Sequence, residues 1–307
     1  TNPRTVALLA ERFKDAPSTW EQIHAARVFS MLLNTGTHLQ NTFGSALMTA
    51  YRPLVRRPVA AGMEAIRTLG RRDAIPAATL DDAAADLAGI ASSFSGALDE
   101  FRTTWSTGVS ARPLRELGTR RKDPIRIPGL QPLNYVGRLL GATDDYFRTL
   151  NEGGAMLAEA NIVARQRGIG RDQVLVRMTE FPEVIERGVQ ESSRAVYQAP
   201  LTGFWRKLGA LRDNPVTQTL VPFFNTQANI ARIGSDISPL GLARDARVKG
   251  QLTKELKREP TADELAIEHA NVRADAAVGI GLAGLGATLT AGGIMNGYGP
   301  TDDAERF

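Results

Sequence analysis

The chain contains no cysteine, which excludes disulfides, thiolate nucleophiles and cysteine-based metal sites. Histidine is almost as scarce. His24, His38 and His269 are the three present, none at ligand spacing from another, and no H-E-x-x-H pair exists. There is no G-x-S-x-G elbow and no G-x-x-x-x-G-K-[ST] phosphate loop. Aromatic residues are 6% of the chain, too few for the core of a β-sandwich and suited to helices packed through small side chains. The acidic pairs Asp81–Asp82 and Asp144–Asp145 fall where helices are expected to begin, and the macrodipole accounts for them without catalysis. No catalytic residue, metal site or cofactor is therefore expected, and the chain reads as a non-enzyme. The start, Thr1 to Arg4, has no apolar h-region, so it does not read as a signal peptide; a processed end or an excised fragment is expected.

One further absence is local. From Ala276 to Met295, twenty consecutive residues carry no charge. As a helix this run would extend about 30 Å, the thickness of a bilayer's hydrocarbon core. Elsewhere the chain is soluble in character, with 23% charged residues and a mean hydropathy of −0.18. Within the run, Gly279 to Gly284 matches G-x-G-x-x-G, but a dinucleotide site needs a preceding strand and an acidic residue about 20 positions later. Here a charged helical pattern precedes it. Gly279, Ala283 and Ala287 recur every four residues, as do Gly281 and Leu285, and Gly284 lies beside them. The pattern is that of small-residue helix packing, in a protein assembly or in a membrane. Six glycines would each cost about 1 kcal/mol against Ala in a water-exposed helix, so the segment calls for protein or lipid around it.

Helix signals run from end to end. Ser18 and Glu21 form a capping box opening a helix toward Asn34. A second helix is expected over Thr37 to Tyr51, with Leu39, Phe43 and Leu47 on one face. Pro53 and Pro58 punctuate the next, which ends at Gly70. Thr79 to Asp82 opens an Ala-rich helix toward Trp105. Thr143 to Asp145 starts a long helix ending at Gly168, and Gly170 starts another. Pro182, Pro200, Pro215, Pro222 and Pro239 then predict short helices joined at kinks. A second capping box, Thr261 to Glu264, launches a helix of roughly 30 residues running to Gly292. The fold class is all-α: an elongated multi-helix assembly with Pro-kinked short helices and one long C-terminal Gly/Ala-rich helix. Three regions are expected: an N-terminal bundle (1–105), a basic Pro/Gly-rich linker (106–131), and a C-terminal helical region (132–307) ending in the apolar helix (276–295).

The formal net charge of +4 is concentrated in that linker. Arg112, Arg115, Arg120, Arg121, Lys122 and Arg126 face only two acidic residues there, between Pro113, Pro124 and Pro128. It reads either as a solvated connector or as a strip for phosphates of double-stranded DNA or anionic lipid. No aromatic side chains are interleaved to stack on single-stranded bases.

Four segments, in order, resemble motifs of one family. Ala26 to Asn41 resembles an opening element of giant multi-domain proteins of tailed bacteriophages. Gly141 to Arg148 resembles their later A-x-D-x-x-F-[KR] helix start. Pro222 to Ile230 resembles P-F-x-x-T-P-x-N-I, with Gln227 in place of the usual Pro, and Gly292 to Pro300 is similar to a Gly-rich tail ending G-x-G-P. The set spans most of the chain. The resemblance implies an internal virion protein of the DNA-ejection class, or the related helical module of polyvalent proteins. Such a protein is stored in the virion interior and expelled into the host periplasm and cell envelope. It would self-associate into a conduit for genome delivery, with other internal, portal or tail proteins, double-stranded DNA and the host inner membrane as partners. The alternative is a non-catalytic helical scaffold module of a giant phage enzyme, a virion polymerase or cell-wall hydrolase. A cell-wall hydrolase in its own right is a third expectation. The motif residues Asn41, Asp144 and Asn229 would act as caps and turn-formers.

Overall fold

The computed structural model describes residues 17–71, 75–114, 119–121, 124–201, 224–256 and 258–291. The fold is all-α. Its compact units are discontinuous in sequence: unit one takes residues 1–54 and 80–231, unit two residues 55–79 and 232–307. This division differs from the linear partition at 105 and 131, because helices from both sides of the basic segment pack on the same long helix.

In unit one, α1 (Thr19–Met31) opens with Ser18, whose hydroxyl accepts from the Glu21 N–H while the Glu21 carboxylate accepts from the Ser18 N–H. Asn34 caps α2 (Thr35–Tyr51) by accepting from the Gly36 N–H. The Ala-rich stretch forms two helices, α4 (Leu80–Ser92) and α5 (Phe94–Thr107). The center is α6 (Leu133–Arg167), 35 residues and about 52 Å long. It begins ten residues before the expected start at Thr143. The Asp145 carboxylate does not cap a helix end: it accepts from Thr104 Oγ1 (2.6 Å) and Ser110 Oγ (2.8 Å) within the core. The end is as expected, with Gly168 in the left-handed conformation at φ 64°.

Around α6 pack α4, α5, α1, α2 and, on the C-terminal side, α7 (Arg171–Val176) and α8 (Pro182–Ala195). One apolar cluster joins Phe29 and Val28 of α1 to Ile125. A second joins Val163 and Ala160 to Val174, Phe181 and Val184. Where α4 crosses α6, a Cβ on Gly89 would lie 2.4 Å from the Gly153 carbonyl oxygen, so only hydrogen fits. The basic segment is not simply a loop. It contains an antiparallel pair, β1 (Val109–Leu114) with β2 (Thr119–Arg121).

Pro53 and Pro58 do not break the chain into separate helices. Each proline lacks an N–H and crowds the preceding turn, and the backbone answers with a wide π-helical turn over Arg52–Arg56. It leads into α3 (Arg57–Thr68). Of the short helices expected at the later prolines, those around Pro215 and Pro222 lie outside the described residues, while Pro200 follows α8 in a non-helical stretch. The following elements are α9 (Phe224–Asp236), α10 (Gly241–Asp245), α11 (Val248–Leu256) and α12 (Ala262–Ala291). Thr261 and Glu264 form the expected reciprocal cap. Unit two has its own small core of Ala60, Ala270 and Ala274, where α3 meets α12.

Candidate functional sites

Unit one carries an ionic network inside its helices. Arg52, presented by the π-helical turn, donates from Nε and Nη2 to the two oxygens of Asp86 at 2.7 Å each, and from Nη2 to the Asn151 carbonyl at 3.1 Å. Both side chains are buried. Asn151 in turn donates to Thr49 Oγ1 at 2.7 Å and to the Phe147 carbonyl at 2.8 Å. Burial opposes the Arg52 charge, yet Asp86 and then Glu191 outweigh it and hold the guanidinium above its ordinary pKa. Glu191 stands 4.0 Å from both Arg52 and Arg187, and Arg187 lies 3.6 Å from Glu159. Nearby, Arg165 makes a two-pronged pair with Asp82 at 2.7 and 2.9 Å, and Asn161 adds a third donor at 2.8 Å. These carboxylates are met by guanidinium and amide donors, and the pairs tie α2, α4, α6 and α8 to one register. Such a lattice specifies an arrangement more than it supplies acid or base. Apart from Arg187 and Glu191, one turn apart on α8, its paired charges sit on different elements far apart in sequence, so spacing along the chain could not reveal it.

A second node gathers around Tyr197. This residue has φ 56°, a left-handed conformation that non-glycine residues rarely adopt. Asn229 donates from Nδ2 to the Tyr197 and Ala199 carbonyls at 3.0 Å each. Gln198 lies between Arg148, which donates to its side-chain oxygen, and Asp144, which accepts from its side-chain amide. Asp144 and Asn229 therefore lie inside helices and hold the 197–199 turn; neither is a cap. Residues from two of the resembling segments converge there, and Tyr197 and Gln198, which the sequence reading missed, are what they converge on.

The basic residues fall on and around the hairpin. Arg112, Arg120 and Arg121 belong to its strands, but their side chains, and the whole of Arg115 and Lys122, lie outside the described residues. Arg126 is exposed, and its backbone N–H donates to Gln22 Oε1 at 2.7 Å.

Among the described residues, α12 is the one helix long and apolar enough to cross a membrane. The structure separates the small residues singled out along it. Gly279 is packed: its missing Cβ would lie 2.5 Å from Ser238 backbone atoms. Gly281 and Gly284 meet nothing within 4 Å, and Ala283 and Ala287 are exposed. Beside them Ile280, Leu282 and Leu285 are 47%, 59% and 56% exposed. In α2, likewise, Leu39, Phe43 and Leu47 share a face as expected, but it is an exposed face, with Phe43 at 71%. Among the described residues, no group of three His, Asp or Glu is arranged to hold a metal. Compared with models of protein families, with curated proteins and with solved structures, the chain matches none.

Proposed function

We propose that this protein is a structural, non-enzymatic subunit of the internal virion class of tailed bacteriophages, which self-associates through its helices into a conduit for genome delivery. The phage context rests on the ordered resemblance of the four motif segments. The role of an assembling subunit is supported by one observation: large apolar side chains at helical spacing are left uncovered, Leu39, Phe43 and Leu47 on α2 above all. Burying one such side chain contributes about 1.5–3 kcal/mol, and a contiguous stripe of three is more than a lone surface residue. The basic segment would then face DNA or anionic lipid, and the apolar end of α12 the host membrane.

Sedimentation velocity on the full chain tests this. The wild-type protein is expected to form concentration-dependent oligomers, and Phe43→Glu to weaken them at least tenfold, as loss of about 1.4 kcal/mol or more requires. Far-UV circular dichroism should be unchanged, because the side chain contributes little to the subunit core. A wild-type protein that stays monomeric at all concentrations removes the reading.

A further inference from the structure

We propose that α10 is a clasp on the membrane-crossing helix α12, keeping the exposed apolar stretch too short to span a bilayer until the clasp opens. The inference rests on the reading of the protein as a subunit delivered to the cell envelope.

Hydrocarbon, rather than a protein groove, fits the exposed end of α12 for three reasons. First, no charged residue interrupts it from Ile280 to Ala291, and the sequence stays uncharged as far as Met295. Second, its bulky residues have no common face: at about 100° per residue, Leu282 and Leu285 lie about 200° and 140° round from Ile280. Third, its hydroxyl groups make no demand on water. Thr288 Oγ1 donates to the Gly284 carbonyl and Thr290 Oγ1 to the Gly286 carbonyl, both at 2.9 Å.

Length is what the fold withholds. Ala276 is fully buried. A Cβ on Gly241 of α10 would stand 3.3 Å from the Ala276 Cβ, and Gly279 lies against Ser238. Polar contacts, among them guanidinium–carboxylate pairs, close the same region. Asp245, at the end of α10, is 2.5 Å from His269 Nδ1 and 3.0 Å from Arg273 Nε, while Arg244 bridges Asp236 (2.7 Å) and Glu268 (3.0 Å). With the clasp shut, the exposed helix from Ile280 to Ala291 is about 18 Å long. Releasing Ala276 to Gly279 adds about 6 Å, and the twenty-residue uncharged sequence from Ala276 to Met295, if helical in a bilayer, would then match the required span of about 30 Å.

The absence of native cysteine allows a direct topology test. In the full chain, Thr301→Cys places one thiol beyond the apolar run. Labelling is read with a membrane-impermeant maleimide added outside vesicles of phosphatidylethanolamine and phosphatidylglycerol. The protein should float with the vesicles, lose flotation on Leu285→Lys, and remain labelled from outside. Adding Gly241→Val, whose side chain collides with the Asp236 carbonyl, or Asp245→Asn, which weakens the contacts with His269 and Arg273, should open the clasp. The protected fraction should then rise at least about threefold, as a population shift toward the crossing state requires. Two independent variants, each checked by circular dichroism, guard against a folding defect in one. Equal protection in all backgrounds overturns the clasp. Failure of the parent to float overturns the lipid assignment, and larger sedimenting species without flotation would instead assign the surface to a second copy. The Phe43→Glu measurement leaves α12 intact, so the two readings fail separately.

Discussion

The two units use long helices in opposite ways. In unit one, α6 is flanked along its length by α1, α2, α4, α5, α7 and α8. In unit two, α12 is covered by α3, α10 and α11 over its first half and, from Ile280 onward, is largely exposed. Both helices contain glycine in their interiors, where it costs about 1 kcal/mol against Ala unless something requires it. In α6 something does: a Cβ on Gly154 would lie 2.4 Å from Asp86 Oδ1, and one on Gly153 1.8 Å from Ser93 Oγ. In the second half of α12, Gly281, Gly284 and Gly286 meet nothing. The same residue is a product of packing in one unit and an uncompensated cost in the other. Under the proposed role, lipid around this end of α12 would offset that cost.

Two ion pairs, one from each unit, offer a second contrast. The Arg52–Asp86 pair is sealed in the core, whereas Arg67, the partner of Glu64 in unit two, is 44% exposed. Arg52→Met should cause the largest loss, about 3–5 kcal/mol in denaturant unfolding, because it removes the two-pronged guanidinium partner of a buried carboxylate. Glu64→Gln should cost about 1–2 kcal/mol, since Arg67 regains water. Equal losses would erase the distinction between a sealed and a wetted network.

The glycines sharpen the comparison further. Gly89→Ala should destabilise unit one by about 1–3 kcal/mol, the collision being with backbone at a helix crossing. Gly281→Ala or Gly284→Ala should stabilise the soluble protein by about 0.5–1 kcal/mol, having open space and a gain in helix propensity. If thermal unfolding moves in the same direction for both sets, the contrast between packed and unsupported glycine fails.

The smallest effect expected is with acid. Burial opposes ionisation of Glu64, but Arg67, the Ala77 N–H and Arg273 hold its carboxyl below the ordinary range. Asp245 is likewise lowered against burial by His269 and Arg273, and Glu264 is lowered first by Arg258. A carboxylate with depressed pKa contributes stability that is full above its unfolded value, near pH 4, and is lost as pH falls through the folded value. Protection against hydrogen exchange across α3, α10 and α12, taken relative to the intrinsic exchange rate at each pH, should therefore fall below about pH 4, modestly, because these pairs are partly solvated. Protection that is flat from pH 5 to 2 would show that they contribute little.

Much of the helical architecture was legible because its signals are local. Capping boxes at Ser18 and Thr261, a left-handed Gly168 and an uncharged run act within a few residues, and backbone hydrogen bonding obeys them. Leu39, Phe43 and Leu47 could be assigned to one face for the same reason. The sequence alone thus determined the all-α class, the starts of α1 and α12, the C-terminal end of α6 and the apolar character of the last helix. Tertiary structure decided the rest. It ran α6 through Thr143 to Asp145, turned the prolines near Arg52 into a π-helical turn, and folded part of the basic segment into a hairpin. It also paired Arg52 with Asp86, turned the α2 stripe outward, and placed the limit of cover on α12 at Gly279. Each of these depends on which side chain arrives from a distant part of the chain, and burial, unlike capping, has no signature in neighbouring residues.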